Sequence, residues 1–180
     1  MSKDIAILDE NDYFRYRACG IIIENDAVLM ASNDRDDYFY SIGGAVKIGE
    51  TAEEACLREV FEETGVHFEI DRLIFIHENF FEMNDKACHE LAFYFLMKPQ
   101  KHGNFTLGLT QGVTEHLTWI PLTDYKNCQA YPVFFADELI GYDLTSGYEV
   151  TLSEKAGAKA PSPFGSLSAL TEVKRIVTYE

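Results

Sequence analysis

Two β-rich runs, residues 14–23 and 27–32, flank the polar triplet Glu24-Asn25-Asp26, a pattern that predicts a β-hairpin. A polar loop follows at 33–37, then a short strand at 38–41 that delivers the chain to Gly43 and Gly44. Thr51 and Glu54 form a T-x-x-E capping box, so a helix is expected to begin at about Ala52, with Gly65 as its stop. Two long β-rich runs, 68–81 and 87–98, come next, joined by a polar connection. A loop rich in Gly and Thr at 103–114 leads to a strand at 117–121 and short helices at 123–127 and 133–140. Strands on both sides of an amphipathic helix imply an α/β fold, with a mixed sheet between helical layers. No repeat interrupts the pattern, so 1–180 reads as a single domain. Residues 141–171, rich in Gly, Ala, Ser and Pro, read as a flexible insertion peripheral to the sheet, and 173–179 as a returning strand.

The helix carries the candidate chemistry. At roughly 100° per residue, Glu59, Glu62 and Glu63 fall within about one third of its circumference. Cys56, Leu57, Val60 and Phe61 occupy another sector and are expected to pack on a sheet, with Ala52 and Ala55 beside the carboxylates. Three carboxylates at this spacing repel one another unless a cation sits between them. By themselves they fit either a solvated acidic face or a metal site. The glycine-rich loop before the helix, and Arg58 beside the cluster, favour the site. An oxygen-only donor set suits magnesium or manganese, and the absence of clustered Cys and His disfavours zinc.

Composition narrows the partners. With 47% hydrophobic residues the 180-residue chain can bury a substantial core. Its net charge of −15, from 15 basic and 30 acidic residues, opposes long nucleic acids, whose binding rests on phosphate neutralisation. A small phosphate compound arriving with its own cation is not opposed. The start, MSKDIAILDENDYF, is polar and acidic, and no apolar run has the length of a membrane span, so a cytoplasmic protein off the membrane is expected. Cys19, Cys56, Cys88 and Cys128 form no C-x-x-C pair and read as reduced, mostly buried thiols.

Residues 44–66, GAVKIGETAEEACLREVFEETGV, place Gly44, Glu50, Arg58, Glu59, Glu62, Glu63 and Gly65 in a set register, with aliphatic Val60 and Val66. This resembles, without departure, the Nudix box G-x5-E-x7-R-E-U-x-E-E-x-G-U, with U aliphatic. The resemblance covers about residues 13–140 and implies the Nudix fold, an α/β/α sandwich. It implies metal-dependent hydrolysis of a diphosphate bond, typically in a nucleoside diphosphate linked to another moiety. It makes Glu59, Glu62 and Glu63 metal ligands with the Gly43 carbonyl, Mg2+ or Mn2+ the cofactor, and Arg58 the group that orients a glutamate, with Glu50 in support. The catalytic base is a box glutamate in some members, Glu59 or Glu62 here, and a later loop carboxylate in others, a position that Glu115 resembles.

Substrate recognition is less defined. Arg15 and Arg17 share one face of the first strand and either hold phosphate or form salt bridges. Tyr38, Phe39, Tyr40, Phe80 and Phe81 either stack a base or fill the core. Tyr40, Phe80 and the close approach allowed by Gly44 are the candidate substrate contacts. The chain departs from many members in reading Phe39-Tyr40-Ser41-Ile42 before Gly43-Gly44, and lacks the markers of the ADP-ribose, dinucleoside polyphosphate, NADH and coenzyme A hydrolases. A nucleoside triphosphate or a sugar nucleotide thus remains open, as does a homodimer. Two other readings on the same fold are a nucleotide-sensing domain without catalysis and a prenyl-diphosphate isomerase; the intact box argues against both.

Overall fold

The computed structural model describes residues 3–105, 109–110, 113–140 and 173–179. In chain order the strands are β1 (Ala6–Leu8), β2 (Asp12–Ile21), β3 (Ile23–Glu24), β4 (Ala27–Asn33), β5 (Phe39–Ser41) and β6 (Gly43–Ala45). Helix α1 (Ala52–Thr64) is followed by β7 (Ile70–Met83), β8 (Lys86–Met97), β9 (Leu109–Thr110) and β10 (Val113–Pro121). A 3-10 turn (Tyr125–Asn127), β11 (Ala130–Tyr131), α2 (Phe135–Glu138) and β12 (Lys174–Tyr179) complete it. The strands form two mixed sheets. One runs β1-β2-β8-β7-β12, with β6 also on β2; the other runs β11-β5-β4-β10-β9, with β3 on β4. β2 and β8 are parallel, as are β7 and β12, and β5 and β11.

Alternation along the strands sends side chains into two cores. Ala18 of the first sheet and Ile22, just past the end of β2, join Leu29 and Ala31 of the second beneath Ala52, Ala55, Cys56 and Val60 of α1. Cys19, Ile21, Val28 and Met30 point the other way, onto Tyr125, Phe134, Phe135 and Leu139. The sheets thus lie between helical layers, the α/β/α arrangement expected. Helix α1 approaches β2 so closely that a methyl group on Gly20 would stand 2.5 Å from Val60 Cγ2.

That close approach selects small residues for the inner face of α1 and corrects the expectation for Leu57 and Phe61. Both are exposed, and Phe61 stacks on His67 with ring centroids 3.9 Å apart. Cys56 and Val60 are buried, as anticipated. The hairpin is also shorter than expected. Asn25 and Asp26, both with positive φ, turn β3 onto β4, but β2 leaves this pairing to lie parallel to β8. Cys19, Cys56 and Cys88 are buried, and all four cysteines are free. No helix among the described residues is long and apolar enough to cross a membrane. The insertion expected at 141–171 lies outside the described residues.

Candidate active site

The loop after β5 brings Gly43 against β2 and α1. At φ 142°, Gly43 has no room for a side chain: a Cβ would stand 2.5 Å from the Ala18 carbonyl oxygen. Its peptide group is held from both sides. The Gly43 N–H donates to Glu63 Oε1 at 3.0 Å, and its carbonyl accepts from Arg17 Nη2 at 2.7 Å. Arg17 in turn faces Glu90, with Nη1 3.6 Å from Oε2, and Arg15 pairs with the same carboxylate. The parallel register that sets Arg15 beside Glu90 brings these charges together.

Helix α1 begins as its sequence dictates. Thr51 Oγ1 accepts from the Glu54 N–H at 3.2 Å, and Glu54 Oε2 accepts from the Thr51 N–H at 2.9 Å. Gly65 closes the helix in the left-handed conformation, φ 69°. Between these caps, Arg58 binds Glu50 through two bonds, Nε to Oε1 at 2.7 Å and Nη2 to Oε2 at 2.8 Å. The same guanidinium donates to the Ala45 carbonyl at 3.1 Å and, through Nη1, to Glu59, with Glu62 Oε2 at 3.4 Å. Such a bidentate pair fixes the plane of the guanidinium, and with it the Glu59 carboxylate. The bond to Arg58 draws the Glu50 pKa down to about 2.

A cavity of about 1310 Å³ opens between the two sheets. Arg15, Arg17, Tyr40, Gly43, Gly44, Glu59, Glu63 and Glu115 all line it, so most of the residues singled out in the sequence meet on one wall system. Arg58, Glu62, Phe80, Glu50 and Phe39 do not line it. Arg58 and Glu62 stand behind Glu59, and the Glu62 side chain is 54% exposed. Phe80 is displaced from the candidate substrate contacts: it stacks on His89 and Tyr179, with centroids 4.3 and 5.1 Å away. Its neighbour Phe81 lines the cavity instead, because adjacent strand residues point to opposite faces. Arg15 lies over the Phe81 and Tyr13 rings, 5.6 and 6.0 Å from their centroids.

The carboxylates are held in different surroundings. Among the described residues, no three His, Cys, Asp or Glu side chains form a ready-made metal cage. Glu63 is buried, and burial pushes its pKa up to about 8; the Gly43 N–H opposes this and the neighbouring Glu115 adds to it. Glu59 is raised too, by burial that outweighs Arg58. Glu63 Oε2 and Glu115 Oε2 are buried without a hydrogen-bond partner. Two mutually felt, unpartnered carboxylate oxygens at one cavity suit a hard cation, which would supply the missing charge. The donor set therefore fits magnesium or manganese.

Glu90, His77, Asn79 and Asn33 also line the cavity and were not anticipated. Glu90 carried a signal, a carboxylate inside the apolar run 87–98. Burial works against its charge, but Arg17 and Arg15 prevail and hold its pKa below the ordinary range. His77, 1% exposed with Nε2 2.8 Å from Thr178 Oγ1, carried none, since its partner comes from the far end of the chain.

Comparison with known proteins identifies the family. The family description "NUDIX domain" matches residues 14–137. A MutT-like protein of Streptomyces ambofaciens is 34% identical over 61 residues, 33% of this chain and only 40% of that relative's length. Among solved structures, a mutator MutT protein from Bacillus halodurans superposes with a TM-score of 0.53 at 20% identity, covering 67% of this chain and 77% of the other. A MutT protein from Methanosarcina mazei gives 0.50 at 19%, covering 72% and 92%. At these identities the structures speak for the fold alone, and it is the family match over most of the chain that decides: this protein belongs to the Nudix domain family.

Proposed function

We propose that this protein hydrolyses a diphosphate bond in a small nucleotide, a nucleoside diphosphate linked to a further phosphate, a sugar or a similar group, with Mg2+ or Mn2+ as cofactor. The observation that carries the reading is the pair of buried, unpartnered oxygens on Glu63 and Glu115 at a cavity that Arg15 and Arg17 also line. Glu59 and Glu63, with the Gly43 carbonyl, would hold the cation at this cavity, and the exposed Glu62 side chain would join them by turning inward past Glu59. When bound it neutralises pyrophosphate charge and acidifies a water.

The remaining roles belong to the chain. Arg58, locked by Glu50, keeps Glu59 in orientation. Arg17 uses part of its charge on the Gly43 carbonyl and Glu90, so it acts first on the loop and second on substrate. Arg15 is partly exposed, is backed by aromatic rings, and is the better placed phosphate contact. Glu115 takes a proton from the attacking water at its free Oε2. Attack at phosphorus needs no covalent intermediate on the protein. Gly44 leaves the room that the Glu59 carboxylate occupies, since a Cβ there would stand 2.5 Å from Glu59 Oε2, and Tyr38 and Tyr131 offer ring faces for a base.

Release of products, nucleoside monophosphate with pyrophosphate or with a phosphorylated partner, from a panel of nucleoside triphosphates, sugar nucleotides and prenyl diphosphates, followed by chromatography with magnesium and with manganese, tests the reading. Metal-dependent release from at least one nucleotide is expected. Tight nucleotide binding without turnover would replace hydrolysis by the sensing role.

A further inference from the structure

Three adjacent strands place three polar side chains in a row beside the cavity. Asn33 ends β4, Tyr40 lies on β5, and Glu115 on β10 stands directly across from Asn33 in the strand register. The Tyr40 hydroxyl donates to Glu115 Oε1 at 3.1 Å. Asn33 Nδ2 lies 3.5 Å from the Tyr40 oxygen and 3.0 Å from Asp36 Oδ2. Asn33 Oδ1 accepts from the N–H groups of Arg35 and Asp36, at 2.8 and 2.9 Å. Those two donors require the amide oxygen on their side, so the Asn33 nitrogen must face Tyr40. A phenol whose oxygen is offered a donor turns its own proton elsewhere, here onto the carboxylate.

We propose that Asn33 and Tyr40 are positioning residues that bind one oxygen of Glu115 so that the other, Oε2, is presented to the reacting water. The proposal rests on the reading of Glu115 as the proton acceptor. It gives Tyr40 a different task from the substrate contact expected of it. Glu115 is 6% exposed and Oε2 has no partner, so without the Tyr40 bond nothing else among the described residues would select which oxygen faces the cavity. A hydrogen bond to a buried carboxylate is among the stronger kinds, and its loss is felt as disorientation. Burial and the Glu115 charge push the Tyr40 pKa up to about 12, against the opposing effect of Asn33, in keeping with a phenol that keeps its proton.

The test is a mutant cycle of Tyr40→Phe and Glu115→Gln, assayed on whichever nucleotide of the panel is hydrolysed, with kcat and KM read separately. Tyr40→Phe should lower kcat by about 10- to 100-fold, the scale of one hydrogen bond to a charged group, with KM unchanged. It should cost nothing further in the Glu115→Gln background. A raised KM at unchanged kcat would make Tyr40 a substrate contact and overturn the proposal, as would full additivity of the two changes. Should Glu115→Gln alone leave turnover intact, the proton-acceptor role falls and the positioning role with it. A damaging Glu115→Gln beside a harmless Tyr40→Phe overturns the positioning role alone.

Discussion

At the scale of single residues, the glutamates of α1 are distinguished by what surrounds them. Glu62 is the most exposed of the three and shares Arg58 with Glu59. Glu62→Gln keeps the volume and removes the charge, so turnover is expected to fall by about 10²- to 10⁴-fold with stability unchanged or raised, since a repelling charge has gone. Steady-state kinetics and a thermal melt check both halves. Gly44 offers a sharper probe. A Cβ there would lie 2.6 Å from Glu59 Oε1, the end of a flexible side chain. Gly44→Ala should therefore leave the fold intact and displace the Glu59 carboxylate, cutting turnover on the order of 10²-fold, as small misplacements in active sites do. Mn2+ affinity followed by electron paramagnetic resonance should weaken in parallel; unchanged affinity and rate would remove Glu59 from the ligand set. These residues were legible in the sequence because the box places them within one helix and the loop before it. Glu90 and His77 were not, because their meaning depends on strands brought together from distant parts of the chain.

At the scale of elements, α1 was the most legible. Its start, its capping box and its left-handed stop are all local interactions, and the observed span, Ala52–Thr64, follows from them. Thr51→Ala leaves the Glu54 N–H without its side-chain acceptor and should cost about 1 kcal/mol, seen as a fall of about 2–4 °C in Tm for a chain of this size. No loss on calorimetry would mean that the cap is replaced by water at no cost. The turn at Asn25-Asp26 was equally legible, being local; Asn84 and Asp85, which also adopt positive φ, were marked only as part of a polar connection. The partners of β2 were not. A run that is buried on both faces, as Ala18 through Ile21 are, is a central strand, and the sequence of one strand does not name its neighbours. Helix periodicity likewise marked Leu57 and Phe61 as apolar but could not reveal that the short distance to Gly20 reserves the inner face for small side chains.

At the scale of the whole molecule, the buried carboxylates act on stability in opposite directions with pH. Glu50, held near 2 by Arg58, and Glu90, held low by Arg17 and Arg15, bind fewer protons folded than unfolded. Their contributions are present above the ordinary carboxylate pKa of 4.5 and are lost as pH falls below it, Glu50's through about 2. Glu63, raised to about 8 by burial, keeps its proton in the folded protein after the unfolded chain has released it. Its contribution is complete below 4.5 and is lost as pH rises through 8, in the same direction as the repulsion expected from a net charge of −15. In a chelating buffer the urea midpoint should therefore peak on the acid side of neutrality and decline toward pH 8. Glu63→Gln should flatten that alkaline decline while leaving the acid limb, which belongs to Glu50 and Glu90, in place. Saturating Mg2+ or Mn2+ should raise the midpoint most where Glu63 is ionised, moving the optimum toward neutral pH, because a ligand that binds only the folded state stabilises it by mass action. A metal-free optimum at or above pH 8, unchanged by Glu63→Gln, would show that Glu63 is not the buried, proton-holding carboxylate on which the cation site depends.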